Sequence, residues 1–592
     1  MLRRGWGLGF GLSLVVGSVG CGGGAGSGSF APKNPFPSRG KLAQLAAAQA
    51  KPVAARNVAS APEWKVDPAG LDTPPPVETR FGAVAKGAVT FTRELRCVSR
   101  ELARFYADHG APPDERVNRF IGGACGLTTP YFSTGFATGE GTAGATDEQV
   151  LAEWQKSLKL PDGHKGDQAG IGFARKGDKL VVATAFVKPN PTVSVVIERA
   201  DAAGVVVVRG TAPAKTEAML ALINRGAGVA SCEPDVNVPL PAFSFRCTMA
   251  PDDKSAWIEV SAQPEGRLLT GSIALALARR DANAPVEYVT TRREAAGADL
   301  SASLLDAVNR ARTAAGAPAV TLAPKQSATN AQLAPHFFSA ELENDQDKTD
   351  LVGLGLIAGW DVDGMIRDGN FYASLLSGSG DGNAWIDYAL ESPMGRHTML
   401  APGAKQIAIG VPPKEAIGGM GAVVTTYEFF GNEDHAADAQ RVLLRLQRAR
   451  IARGLSKPVP IKGLDRMKAQ AVLVNRGQKD AYEALTDALS EERDRAGVGV
   501  KGWVVGTNDI ETMPLPPELL TGPQVQVGIE VTHYRPEGAP WGMYVVFFLV
   551  PAGSAAPQQQ TASASCTPTT GRLSGCRVVG QARHRASAPS PR

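Results

Sequence analysis

Asp345, Asp347 and Asp350, with Asp361 and Asp363 beyond them, make an oxygen-rich run of the kind that can hold calcium. The loop glycine and closing glutamate of an EF-hand are not in register, so the run reads as a solvated loop. Ser377-Gly378-Ser379-Gly380-Asp381-Gly382 is rich in glycine, but no Gly-Lys-Ser/Thr follows it, which makes it a connection and not a phosphate cradle. No G-x-S-x-G nucleophile motif occurs. Arg445, Arg448, Arg450 and Arg453 lie along one helix and read as a solvated face open to acidic partners. With Cys21 set aside, the cysteines fall into three local pairs: Cys97 with Cys125, Cys232 with Cys247, and Cys566 with Cys576. None has C-x-x-C spacing, which argues against zinc or dithiol chemistry. Disulfides are expected in an oxidising compartment, with buried free thiols as the alternative.

The elements that position these groups need several domains, because 592 residues exceed one hydrophobic core. The formal net charge is only +4, and no basic stripe interleaves with aromatics, so nucleic acid is not an expected partner. Arg3 and Arg4 precede an apolar stretch from Leu8 to Val19, and Ser18-Val19-Gly20-Cys21 resembles a bacterial lipobox with Ser18 in place of the usual Leu. Residues 1–21 are read as a signal peptide with a lipobox-like end and Cys21 as the lipid attachment site. Ordinary signal-peptidase cleavage is the alternative. The protein is therefore expected to be exported to the cell envelope, lipid-anchored at the outer membrane or cell surface. No later run is long and apolar enough to span a bilayer.

Residues 22–80 are rich in Gly, Ala, Ser and Pro and read as a flexible linker with a little helix near Leu42. Residues 81–190 form an α/β module. Residues 191–292 carry short β-branched and aromatic runs between turn residues, the pattern of a β-sandwich, although Thr216 to Ile223 has helical character. Residues 293–432 and 433–551 form two further α/β units, and residues 552–592 make a disordered tail, apart from a loop that Cys566 and Cys576 could close. A weak repeat links the units. Strands containing Gly172, Gly410 and Gly528 precede strands ending in aromatics, and helices with Arg310-Ala311-Arg312 and Arg448-Ala449-Arg450 end at Gly316 and Gly454.

Within 293–432, Leu304, Leu305, Val308, Ala311 and Ala315 form an apolar helical face, with Arg310 and Arg312 directed away from it. Trp385, Tyr388 and Ala389 share a face of a helix that Pro393 ends, and Ile407, Ile409 and Val411 project to one side of a strand. The order Asn309-Arg310-Ala311-Arg312, Gly316, Pro318, Trp385, Ser392-Pro393, Arg396, Met399-Leu400, Ile409-Gly410-Val411 resembles the CAP superfamily (the SCP-like domain). The resemblance implies an α-β-α sandwich around a small antiparallel sheet. The fold expected overall is α+β and multidomain: one CAP-like α-β-α sandwich, a β-sandwich and related α/β modules read as degenerate CAP-like.

The resemblance also implies a cleft in which two His and acidic residues can hold a divalent cation. Here the expected positions are largely vacant. Gly395 stands at the second His, the first falls near Leu333, and Asp368-Gly369-Asn370 lacks the family's Glu. The candidate cleft residues are His336, Asn370, Ser392, Arg396 and His397. No catalytic residue, metal ligand or cofactor is assigned. The function expected is a non-catalytic binding or scaffolding module, held to the membrane by its lipid and meeting an unknown protein or small apolar ligand. The alternative is a metal-dependent hydrolase with a rearranged cleft. It needs His336 and His397 to converge with a carboxylate such as Glu391 around a divalent cation and an activated water.

Overall fold

In the computed structural model, residues 11–15 and 36–551 are described apart from short internal stretches, the longest being 153–163 and 290–299. Cys21 and residues 378–381 lie outside the described residues. The molecule is mixed α/β and multidomain.

Helix Leu300–Ala314 buries Leu304, Ala307 and Val308, as their spacing predicts, and Gly316 follows it in the left-handed region at φ 75°. Arg312 does not face away. It stands four residues after Val308, on the same stripe, and is 0% exposed. Its guanidinium donates to the carbonyls of Pro318 at 2.6 Å, Met399 at 2.8 Å and Ala404 at 3.5 Å. A planar fork of donors can be satisfied by main-chain carbonyls, so its burial needs no carboxylate. Asn309 accepts from the Val320 amide at 2.8 Å and donates to the Val320 carbonyl at 3.0 Å. The Asn and second Arg of the motif thus fasten the helix to the chain that follows it.

That chain enters a sheet whose order is repeated in all three α/β modules. Thr321–Leu322 pairs parallel with Gln406–Gly410, which pairs antiparallel with Gly419–Phe429, and that strand pairs antiparallel with Ile366–Ser377. In the first module the corresponding strands are Thr90–Phe91, Gln168–Lys176, Lys179–Val187 and Ser133–Gly139. In the third they are Val459–Pro460, Gln526–Tyr534, Met543–Pro551 and Val500–Thr507. Gln168, Gln406 and Gln526 occupy the same register position opposite the entry strand. Arg450 repeats Arg312. It is fully buried, not on a solvated face, and its Nε donates to Ser456 at 2.8 Å and its Nη1 to Leu519 at 2.6 Å. The register also adjusts the expected repeat: Gly172 matches Gly410, whereas Gly528 matches Gly170 and Ala408.

Each sheet is covered on both faces, so its central strands alternate between two apolar clusters. On Gly419–Phe429, Met420, Ala422 and Val424 join the cluster of Trp385 and Leu304, while Val423 and Tyr427 join that of Phe337 and Leu356. On Met543–Pro551, Val546, Phe548 and Val550 face one side and Val545, Phe547 and Leu549 the other.

Residues 194–279 form two antiparallel four-stranded sheets around one core that includes Val206, Ile223, Phe243, Phe245 and Ile258. The helix suggested at Thr216 to Ile223 is instead strand Thr216–Arg225. It lies between Gly228–Ser231 and Ser255–Pro264, and pairing on both sides outweighs local helical propensity.

Two of the three expected disulfides are formed. Cys97 bonds to Cys125 and Cys232 to Cys247, with Cα–Cα separations of 5.5 and 4.4 Å. Both pairs lie among the described residues. The third, between Cys566 and Cys576, falls outside them, because the described chain ends at 551. Cys97, Cys125, Cys232 and Cys247 are all held in apolar cores, where packing fixes the distance between the sulfurs.

The linker expectation for 22–80 is corrected from Phe36 onward. Helix Arg39–Ala47 inserts Leu42 into the second module's core, and strand Glu63–Val66 pairs with Val286–Val289. Helix Pro76–Ala85 belongs to the first module, where Phe81 is buried. Sparse apolar residues in a polar, Pro-rich stretch suffice to bind it to neighbouring surfaces. Gly11–Val15, inside the expected leader, pairs antiparallel with Ile366–Ser377, because an open sheet edge accepts any extended backbone.

Candidate functional site

The motif region Trp385 to Arg396 folds as helices Gly382–Glu391 and Pro393–Met399. Pro393 ends the first and opens the second, and the Ser392 hydroxyl caps the second by accepting from the Gly395 amide at 3.3 Å. Trp385 is buried and donates to the Ser374 carbonyl at 2.9 Å. These helices meet the β-sandwich and helix Glu115–Ala124 of the first module.

Glu259, on sandwich strand Ser255–Pro264, accepts from the Ser392 hydroxyl at 2.8 Å and the Met394 amide at 3.1 Å through one oxygen. Arg119, from the first module, stacks over the Tyr388 ring at 3.8 Å. It also donates to the Tyr388 carbonyl at 2.6 Å and to Glu391 at 2.8 Å. Asn224 donates to the Glu391 carbonyl at 2.7 Å. Arg396 donates to the carbonyls of Leu390 at 2.5 Å, Gly226 at 2.7 Å and Gly228 at 2.9 Å. Three modules are thereby joined through one buried polar group. Burial pushes the Glu259 and Glu391 carboxyls above their ordinary values, against the opposing pull of the hydrogen bonds to Glu259 and of Arg119 beside Glu391. Burial likewise pushes the Tyr372 hydroxyl up to about 12 and raises that of Tyr388.

His336 is not brought to the other candidate cleft residues, whereas Ser392, Arg396 and His397 share helix Pro393–Met399 and its cap. His336 sits on helix Pro324–Glu343, whose Leu333, Ala334 and Phe337 cover one face of the sheet. His397 sits on Pro393–Met399, whose Met399 joins the cluster on the opposite face. Burial lowers both imidazoles from their ordinary value. Lys348 adds to this at His336, whereas Glu428 opposes it at His397. Asn370 lies in strand Ile366–Ser377 opposite Thr426. Ser392 and Arg396 bind the sandwich, and Glu391 is paired with Arg119. Gly395 has no room for the imidazole the resemblance expects: a Cβ there would lie 2.0 Å from the Ala389 carbonyl oxygen and 3.2 Å from Tyr372.

The acidic run is engaged as well. Asp345 caps helix Gln346–Ile357, and Asp347 and Asp350 meet Arg267 of the sandwich at 3.1 and 2.6 Å. Asp361 meets Arg39 at 2.9 Å and accepts from Thr329 at 2.8 Å. Among the described residues, the one group of three metal-ligating side chains close enough to share an ion is His435, Asp438 and His533, in the third module. The sequence reading missed it, as it missed Arg119 and Glu259. The His-x-x-Asp spacing at a helix start was the available signal for the first. A carboxylate amid Trp257, Ile258 and Val260 was the signal for Glu259.

No family model matches the chain, and neither curated proteins nor solved structures include a match to it.

Proposed function

We propose that this chain is an exported, lipid-anchored protein of the cell envelope, related to the CAP superfamily and acting as a non-catalytic binding or scaffolding module. The observation that carries the reading is the engagement of the motif side chains. Ser392 and Arg396 bind the sandwich, Glu391 binds Arg119, and His336 and His397 occupy opposite faces of one sheet. Water activation needs a base and a cation at one point, and these groups do not meet at one. The ordered motif from Asn309 to Val411 supports the CAP relation. So do the helical layers on both faces of the sheet. The Arg3-Arg4 start, the apolar stretch and Cys21 support export and anchoring, and the two disulfides suit an oxidising compartment. The membrane is met through the lipid on Cys21, and the further partner is a protein or a small apolar ligand.

The test is expression in a bacterium with lipoprotein-processing enzymes. The mature protein is expected to begin at a diacylglyceryl-modified Cys21 and to sediment with membranes, and Cys21→Ala to release it. An unmodified Cys21 overturns the anchoring. Metal-dependent hydrolysis that disappears in a His336→Ala, His397→Ala double variant overturns the non-catalytic role.

A further inference from the structure

The third module holds a side-chain group that the scaffold reading does not use. His435 and Asp438 stand three residues apart in the first turn of helix His435–Ile451 and so share a face. His533 meets them from strand Gln526–Tyr534. One ring nitrogen of each imidazole and one carboxylate oxygen of Asp438 all lie within 4.8 Å of one another. We propose that His435, Asp438 and His533 bind a late first-row divalent cation, zinc foremost, at the seam between the second and third α/β modules.

The donor set selects the class of ion. Two imidazoles and one carboxylate form a nitrogen-rich set that suits zinc and its neighbours. Calcium and magnesium require six or more oxygens, which this group does not supply. Ligand atoms around a tetrahedral zinc are separated by about 3.4 Å, given bond lengths of about 2.0–2.1 Å. Closing from 4.8 Å therefore takes a modest side-chain rotation. His435 and Asp438 are only partly buried and can supply it, whereas His533 is 3% exposed and fixed.

The surroundings favour an oriented site. The His533 ring is flanked by Phe430 at 4.3 Å and Tyr544 at 5.1 Å, and by His435 at 4.7 Å in an edge contact. Phe430 follows the last strand of the second module, so the group lies where the two modules abut. Arg441 donates to Oδ1 of Asp438 at 3.1 Å, and Oδ2 faces His533 Nε2 at 4.0 Å. One oxygen is thus held by a neighbour and the other is presented to the site, the arrangement by which outer groups orient a ligand. The charge of Arg441 opposes a cation, and Glu511 beside it at 3.5 Å offsets that charge. Three protein ligands leave a fourth position for water.

Full-length protein stripped with a chelator and dialysed would be titrated with zinc, and in parallel with cobalt(II) as a spectroscopic probe. One equivalent of zinc is expected, with visible cobalt absorption of a low-coordinate complex, and no comparable uptake of calcium or magnesium. His435→Ala and Asp438→Asn alter partly exposed residues. Each should lose the zinc equivalent and the cobalt bands while keeping the far-UV circular dichroism of the parent. His336→Ala with His397→Ala should keep both signals. Absence of a zinc equivalent in the parent protein overturns the proposal. So does an equivalent that survives both His435→Ala and Asp438→Asn.

Discussion

Buried charge in this chain is satisfied in two ways. Arg312 and Arg450 are surrounded by main-chain carbonyls, so each guanidinium acts as a knot in its own module. Carboxyl groups respond differently, because an acid can shed its charge when desolvated. Burial pushes Glu115 up to about 7 from a reference of 4.5, with its own backbone contact and Arg56 opposing the shift. The folded chain therefore keeps this proton at pH values where the unfolded chain has released it. Its contribution to stability is fully present below about pH 4.5 and is lost as the pH rises to about 7. One pKa unit corresponds to about 1.4 kcal/mol, which sets about 3.5 kcal/mol as the upper figure for the loss. Glu115→Gln is expected to be more stable than the parent at pH 7.5 and to show a flatter decline between pH 4.5 and 7. Urea midpoints measured across that range check it, and parallel pH curves for the two proteins contradict it.

At the scale of elements, the close approach of helix and strand defines the repeated module. A Cβ on Gly172 would lie 2.2 Å from the backbone of Ser99 and Arg100, and one on Gly410 would lie 2.5 Å from that of Asn330. The same helix position meets the same strand position in both modules, and backbone cannot yield as a flexible side chain can. Gly410→Ala is expected to cost about 1–3 kcal/mol, the usual range for overpacking a tight core. A thermal midpoint equal to that of the parent would show that the approach can relax. Much at this scale was legible. The strand containing Gly172 with the aromatic-ended strand after it, the sandwich strands and the stop at Pro393 all follow from periodicity and turn residues. The helical character of Thr216 to Ile223 misled because the run pairs on both sides, a non-local fact.

At the scale of the molecule, the modules are fastened by polar contacts between parts distant in sequence. Arg119 bridges the first and second modules, Glu259 and Arg396 bind the second module to the sandwich, and Arg267 adds a second tie to Asp347 and Asp350. Gly123 permits Trp257 to press against the first module, since a Cβ there would lie 2.5 Å from the indole. Arg119→Ala removes the nearest cation from a part-buried Glu391 and is expected to cost less than the figure of about 3–5 kcal/mol typical of breaking a fully buried pair. Calorimetry is expected to record one main unfolding transition in the parent and separated transitions in the variant. A single unshifted transition in Arg119→Ala would mean that the junction does not couple the modules.

The sequence by itself determined most of the local order, Thr216 to Ile223 excepted: which runs become helices or strands, where glycine and proline stop them, and which cysteines are neighbours along the chain. These depend on spacing along the chain, and spacing is what a sequence records directly. It also exposed the ordered motif from Asn309 to Val411, but not what its polar residues do. Only the tertiary structure decided that Ser392 and Arg396 join modules and that Arg312 and Arg450 are buried. It alone placed His336 and His397 on opposite faces and set His533 beside His435 and Asp438. The physical reason is that the chemistry of a polar side chain is set by the atoms around it, and those atoms are delivered by chain closure over tens to hundreds of residues.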